Sequence, residues 1–282
     1  MTTLNHLTPT QKSIFPTLYL RALDSRSPRP ILGDKLSSEL VDKIDYDFSK
    51  QKARWATGNR LLVASHVANV ALRSKRLDEM VGNFVAKHPD AIVLDLGCGL
   101  DPRAIRCAPA ARVHWYDVDF AEVIALREQY LPRASRHIGA DLLSTQWLDD
   151  IPSDRPAMIV ADGLMAFLSE HAFRSLARLL TAHFPMGELA FNAYTRFLLR
   201  RARKSSAFKA LGSAPAGEGI DDPREPESWG ARLTLVEELL LTRAPEVATL
   251  PQPLRGITRL CGLSPRISRQ GNWVVRYRFE AS

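Results

Sequence analysis

Apolar and polar residues follow three different rhythms along the chain. In the front third, apolar positions recur at helical spacing: Leu61, Leu62, Ala68 and Leu72, then Val81, Phe84 and Val85. That period predicts helices over 36–48 and 53–88, the second stopped by His88-Pro89-Asp90. Residues 91–96 then form a short, nearly continuous apolar run ending at glycine, the pattern of a strand buried on both faces. Further strands are predicted over 112–118, near 135–138, at Ala157–Ala161 and over 188–193. Helical patterns fall between them, including Ala121–Tyr130 and Glu170–His183. This alternation predicts an α/β fold with a doubly wound parallel sheet, helices on both faces.

Near the end, Pro265–Arg269 and 273–279 alternate across Gln270-Gly271-Asn272, which predicts an antiparallel hairpin with a tight Gly-Asn turn. The stretch 195–253 is the least strand-like and reads as a helical insertion, with a Gly-, Pro- and acid-rich surface loop at 214–226. Four parts are therefore expected. They are a helical cap and lead-in over 1–88, an α/β core over 89–194, an inserted substrate lid over 195–253, and a core-completing helix and hairpin over 254–282. A parallel sheet finished by an antiparallel hairpin is usual for methyltransferases that use S-adenosylmethionine (SAM) and unusual for nicotinamide dehydrogenases.

Composition narrows the class. The chain has 282 residues, 45% hydrophobic and 24% charged, which fits an ordinary globular domain and excludes a disordered or fibrous one. No apolar run approaches the roughly 18 residues that span a bilayer. The first twenty residues contain Pro9 and Pro16 and lack the layout of a secretory signal. Cys98, Cys107 and Cys261 cannot all pair and show no C-x-x-C spacing, which points to a reducing compartment, so the cytoplasm is expected. The seven histidines are dispersed, and none has metal-site spacing, so no metal is expected.

The net charge is +7, but its distribution is local. Between Thr195 and Ala210 lie Arg196, Arg200, Arg201, Arg203, Lys204 and Lys209 with no acidic residue, and without these six the balance is +1. Three readings stay open for the segment: a solvated helix face, a patch that draws an acidic small molecule to a lid, or an RNA contact.

Candidate chemistry concentrates after the first strand, at Asp95-Leu-Gly97-Cys98-Gly99-Leu-Asp101. A strand that runs through Gly-x-Gly into a helix lets backbone pass close to a ligand. The third glycine of the dinucleotide fingerprint is absent from Leu100-Asp101-Pro102-Arg103, which counts against a pyrophosphate ligand and not against SAM. An acidic residue closing the second strand is placed to bind ribose hydroxyls. Asp117 and Asp119 share a strand face, so spacing alone does not choose between them, and either could instead cap the next helix. Asp141 and Asp162 follow the third and fourth strands. Acidic groups after four successive strands mark the carboxyl edge of the sheet, where open α/β sheets bind ligands.

These segments resemble the leucine carboxyl methyltransferase family, and most nearly its branch of polyketide-synthesis O-methyltransferases. The resemblance is carried by Ala71-Leu-Arg73-Ser-Lys-Arg-Leu-Asp78, by 88–103 with Gly97-Cys-Gly-Leu-Asp-Pro-Arg103, by Trp115-Tyr-Asp-Val-Asp-Phe-Ala-Glu-Val123, and by Ala161-Asp-Gly-Leu-Met-Ala-Phe-Leu168. Tyr19-Leu-Arg-Ala-Leu23 and Asp45-Tyr-Asp-Phe48 fit as well. The resemblance implies a class I SAM-dependent methyltransferase with a helical cap, acting on an oxygen of a small molecule, with a carboxylate favoured. It implies that Arg73 holds the cofactor's carboxylate, that Gly97, Cys98 and Gly99 face its methionine part, and that Asp119 binds the ribose. Asp141 and Leu142 would address the adenine, and Asp162 the amino group. Tyr194, Arg196 and Arg200 are candidates for the acceptor side, and no general base is assigned.

Three positions depart from the family pattern: Pro102 for a threonine, Asp162 for a glutamate, and Asn192 for an aspartate. The last two bear on acceptor orientation more than on cofactor binding. Rival readings are a phenol or enol O-methyltransferase, a tRNA-modifying enzyme of a related branch, a nicotinamide oxidoreductase and a SAM-binding protein without turnover. A membrane partner is not expected, and a nucleic acid is disfavoured.

Overall fold

Seven strands form one sheet in the computed structural model, which describes residues 4–49, 60–204 and 216–280. They are β1 (Ile92–Leu96), β2 (His114–Asp119), β3 (Arg136–Gly139), β4 (Ala157–Ala161), β5 (Met186–Ala193), β6 (Thr234–Leu240) and β7 (Trp273–Glu280). Their order in space is β3-β2-β1-β4-β5-β7-β6. The first five pair in parallel, and β7 runs antiparallel between β5 and β6. This is the sheet that the resemblance to class I methyltransferases leads one to expect. The α-helices among the described residues are α1 (Ile14–Ser25), α2 (Lys35–Lys43), α3 (Arg60–Lys87), α4 (Arg103–Cys107), α5 (Ala121–Tyr130), α6 (Glu170–His183), α7 (Arg196–Lys204), α8 (Leu254–Gly262) and α9 (Pro265–Arg269).

Alternate residues of the central strands supply two separate cores, as a sheet covered on both faces requires. Val93, Met158, Val160 and Ala190 pack against Leu72, Leu77, Met80, Val81 and Phe84 of α3. On the opposite face Leu94, Ile159 and Phe191 pack against Phe173, Leu176 and Leu180 of α6. A third cluster joins Phe15, Leu18 and Ala22 of α1 to Leu40 and Val41 of α2, and reaches Leu100 and Leu126 beside the glycine turn. The N-terminal helices are thereby seated on the carboxyl edge of the sheet.

The structure corrects three sequence expectations. The helix expected over 36–48 ends at Lys43, because Ile44 is extended and Tyr46 and Phe48 fold back onto Phe15, with Tyr46 stacked at 3.8 Å between ring centroids. The helix expected over 53–88 is seen from Arg60 to Lys87, and its first residues lie outside the described ones. The terminal hairpin is not a tight one. Pro265–Arg269 is a helix with Pro265 in its first turn and the Ser264 hydroxyl accepting from the backbone N–H of Ile267, and β7 pairs instead with β6. Strand β6 falls inside the segment expected to be a helical insertion. A register shift between Leu235 and Glu237 breaks the alternation that would have revealed it.

Candidate active site

The carboxyl ends of β1, β2, β4 and β5 meet at one edge, and the glycine turn is its tightest part. Gly97 and Gly99 have φ of +64° and +51°, the left-handed region that side chains avoid. A Cβ at Gly97 would come 3.2 Å from Leu164 Cδ1, and one at Gly99 3.2 Å from Ile14 Cγ2 of α1. Cys98 is buried between them, and burial pushes its thiol well above the usual range, so it serves as a small filler in the turn.

The two aspartates of β2 divide their tasks. Asp119 accepts the backbone N–H groups of Gly99 at 2.8 Å and Phe120 at 2.7 Å. Burial raises its carboxyl pKa, and these two hydrogen bonds counter the shift. Asp117 is fully buried and takes Arg127, the Trp115 indole N–H at 3.0 Å and the Ser135 hydroxyl. Arg127 also donates to the carbonyls of Gly99 at 2.9 Å and Asp101 at 2.8 Å. Asp117 and Arg127 therefore brace the turn from beneath, while Asp119 lies at its rim. Asp141 stands just past β3, beside Asp119, where the backbone N–H of Ala140 reaches the Asp119 carbonyl at 2.8 Å. Its own carboxylate is exposed and accepts the Leu143 N–H at 3.0 Å, and Leu142 is buried.

Arg73, Asp162 and Tyr194, widely separated in sequence, come together. Arg73 Nη1 donates to the Tyr194 hydroxyl at 3.0 Å, and Arg73 Nε lies 2.8 Å from Asp162 Oδ1. That last contact is close but not aligned as a hydrogen bond, so both buried atoms lack an aligned partner. Burial works against the Arg73 charge, yet Asp162 and Tyr194 raise its pKa on balance. Buried polar atoms without aligned partners call for a physical account, and a bound ligand is one that would supply it. A guanidinium and a carboxylate side by side suit the carboxylate and ammonium ends of an amino acid.

Sequence reasoning missed the group that organises this edge. Arg103 is fully buried and touches Asp95 at 3.0 Å, Asp101 at 3.3 Å, Asp162 at 3.1 Å and also Asp78. Arg106 adds Asp78 at 2.8 Å and Asp34 at 3.2 Å, and Arg21 of α1 reaches Asp34 at 3.5 Å and Asp101 at 3.6 Å. The arginine in Asp101-Pro102-Arg103 thus ties the glycine turn, α3 and Asp162 into one unit. Arg106, Arg21 and Arg103 hold the Asp101 carboxyl far below the usual range against the opposing effect of burial. Asn192, in place of an aspartate, accepts the Gly163 backbone N–H, which fixes the turn after Asp162. Its Nδ2 donates to Asn272 Oδ1 at 3.0 Å.

The basic segment is not a free patch. Arg196 forks onto Glu225 at 2.9 and 2.6 Å and lies 3.6 Å from both Asp221 and Glu170, so it anchors the start of α7 and is not available to an acceptor. Arg203 donates to the carbonyls of Ala216 and Gly217. Arg200, Arg201 and Lys204 are exposed without a carboxylate partner among the described residues, and Lys209 lies outside them. A cavity of about 490 Å³ opens between α3 and β6, lined by Arg76, Glu79, Leu239, Arg243 and Arg269 among others, and none of the expected site residues line it. Among the described residues no group of three or more His, Cys, Asp or Glu is placed to hold a metal ion, and no helix is long and apolar enough to cross a membrane.

Comparison with known proteins shows the family and the fold. The model of the leucine carboxyl methyltransferase family matches residues 15–181. The chain is 41% identical over 244 residues to the tetracenomycin polyketide synthesis O-methyltransferase TcmP of Streptomyces glaucescens, covering 86% of this chain and 87% of the relative. It is 30% identical over 242 residues to the SAM-dependent methyltransferase dpfgK of Gibberella zeae, covering 79% of each. Among solved structures, a candidate methyltransferase from Thermobifida fusca superposes with a TM-score of 0.54 at 17% identity, over 93% of this chain and 94% of that one. The plantazolicin methyltransferase BamL gives 0.50 at 10% identity, over 96% and 98%. Both establish likeness of fold.

Proposed function

The chain belongs to the leucine carboxyl methyltransferase family and is a SAM-dependent methyltransferase, and we propose that it methylates an oxygen of a small secondary metabolite of polyketide type, a carboxylate that becomes a methyl ester. The single observation that carries the choice of acceptor is that each carboxylate of this edge is held by groups of the chain and has a place in the cofactor reading, which leaves none over as a base. Asp119 holds two backbone N–H groups, Asp141 holds one, and Asp162 is shared by Arg73, Arg103 and the Ser74 hydroxyl. A carboxylic acid is ionised at neutral pH and needs no base to take its proton, whereas a phenol or enol does.

In this reading Arg73 binds the carboxylate of the cofactor and Asp162 its ammonium group. The Gly97–Gly99 turn borders the methionine part, Asp119 accepts from the ribose hydroxyls, and Asp141 with Leu142 flanks the adenine. SAM, when bound, supplies an electrophilic methyl group on a sulfonium. The chain's own contribution is positioning and the exclusion of water. Ile14 of α1 lies over Gly99, and the segment after α7 closes on the other side, with Gly217 N–H on the Ala166 carbonyl at 3.0 Å and Ile220 N–H on the Tyr194 carbonyl at 2.9 Å. These two pieces form the cap.

The test is incubation of enzyme and a metabolite extract with deuteromethyl-labelled SAM, followed by mass spectrometry before and after mild alkali. A label released as deuterated methanol supports the ester. A label that survives alkali moves the acceptor to a phenol or enol.

A further inference from the structure

We propose that Asn69 binds the methyl acceptor through its side-chain N–H donor, and that a one-way chain of amides starting at Gly163 fixes that donor's direction. The proposal rests on the reading of this sheet edge as the transfer site and specifies its acceptor side.

The backbone N–H of Gly163 can only donate, so Asn192 must present Oδ1 to it. Asn192 Nδ2 is then turned away and donates to Asn272 Oδ1 at 3.0 Å, and Asn272 Nδ2 in turn donates to Asn69 Oδ1 at 2.9 Å. Asn192 is fully buried and Asn272 nearly so, which keeps water from substituting for either bond. Fixing one end therefore fixes every amide in the chain. The unused group is Asn69 Nδ2, which has no partner among the described residues.

Asn69 is half-buried on α3, four residues before Arg73, so the two share a helix face. That face meets the edge where Arg73 contacts Asp162 and Tyr194. On the other side Asn272 immediately precedes β7 and lies two residues after Gln270, which accepts from the Thr195 hydroxyl at 3.2 Å. A donor held here selects an acceptor with lone pairs to offer. A carboxylate can give one oxygen to Asn69 and keep the other for alkylation. A protonated amine finds no acceptor.

The chain has a second state that one substitution selects. In Asn192→Asp the carboxylate still accepts from Gly163 but has no proton for Asn272. Asn272 then turns its Nδ2 to position 192 and its Oδ1 to Asn69. Asn69 turns in response, and its own Oδ1 faces the acceptor. Donor becomes acceptor at the same point.

The experiment titrates 2-naphthoate and the neutral 2-naphthamide by fluorescence in the presence of S-adenosylhomocysteine, using wild type, Asn192→Asp, Asn69→Ala and the double variant. The amide can meet either polarity. We expect Asn192→Asp to weaken 2-naphthoate tenfold or more, 2-naphthamide less than threefold, and S-adenosylhomocysteine less than twofold. We expect Asn69→Ala to weaken 2-naphthoate to a similar extent and the double variant to lose nothing further. An undiminished loss on adding Asn192→Asp to Asn69→Ala would mean that the new charge acts directly, and the relay is wrong. If wild type binds no 2-naphthoate, the acid reading of the acceptor fails, and the relay is judged by solvent exchange of the asparagine side-chain amides in nitrogen-15 spectra. The Asn69 protons should exchange fast in wild type and become protected in Asn192→Asp. No change there overturns the relay whatever the acceptor is.

Discussion

Asp119 holds the backbone N–H of Gly99 at 2.8 Å, so the second strand grips the turn that follows the first. Two residues earlier, Asp117 is sealed against Arg127. The two carboxylates should therefore fail in different ways. Asp117→Ala leaves Arg127 buried without its partner, and unfolding free energy should fall by about 3–5 kcal/mol. Asp119→Ala should cost less stability and about 1–3 kcal/mol of SAM affinity, the range for charged hydrogen bonds lost. Calorimetric titration with SAM beside urea unfolding checks both. A larger affinity loss in a folded Asp117→Ala protein would reverse the assignment.

Arg73 offers a cleaner separation of binding from folding. Its removal leaves Asp162 still held by Arg103 at 3.1 Å and by the Ser74 hydroxyl at 2.8 Å. Arg73→Ala should fold, and SAM should bind about 2–4 kcal/mol more weakly because its carboxylate loses a buried partner. Tyr194→Phe, which removes only the hydroxyl that Arg73 contacts, should cost less than half of that. Equal affinities for wild type and Arg73→Ala would place the cofactor carboxylate elsewhere.

The parts of this site legible in the sequence are those that backbone periodicity places. β1 reads as an apolar run and the strand–helix alternation places β2, β4 and β5 after it, which sets Gly97, Asp119 and Asp162 at one edge. Arg103 could not be placed so, because its partners Asp78, Asp95 and Asp162 come from three elements and no local pattern joins them. The amide chain was hidden for the same reason, since Asn69 and Asn272 lie 203 positions apart. A helical-face argument from Arg73 back to Asn69 was available. Strand β6 was lost to its register shift, and Pro265–Arg269 is too short for period two and period 3.6 to differ.

Charge in the 196–204 helix now has a sharper test than its sum. Arg196 belongs to the Glu225 fork, and its side chain is 31% exposed, so Arg196→Gln should cost at most about 1 kcal/mol of stability. Arg200 and Arg201 are exposed, and their field can draw an acidic acceptor only while unscreened. The Arg200→Gln/Arg201→Gln variant should show a raised acceptor KM at low salt, unchanged SAM affinity, and convergence with wild type toward 1 M salt, where the Debye length is about 3 Å. Salt-dependent steady-state kinetics decides. Identical curves would make these arginines a solvated face, and loss of tRNA binding with a reduced salt slope would point to RNA.

The buried network predicts opposite pH signatures for two of its aspartates. Three arginines overcome burial at Asp101, and its carboxyl pKa falls far below the usual value. Its stabilising contribution is thus complete above the unfolded pKa of about 3.9 and is lost only as pH falls toward the folded one. At Asp95 burial wins over Arg103, with Asp117 and Asp101 adding to it, and the pKa rises to about 7. Its contribution is complete below about pH 3.9 and is lost as pH rises through about 7. Asp101→Asn removes an ionised partner of Arg21, Arg103 and Arg106 and should cost about 3–5 kcal/mol at every pH from 5 to 8. Asp95→Asn replaces a protonated carboxyl by a near-isostere at pH 5, and the pH dependence lies in how wild type changes above that. Urea unfolding at pH 5, 6, 7 and 8 should show the wild-type margin over Asp95→Asn shrinking from pH 5 to about 7 and flattening by pH 8, while the margin over Asp101→Asn stays level. Two level margins would mean that both carboxylates stay ionised in the folded protein, and that Arg103 outweighs burial at Asp95 as well.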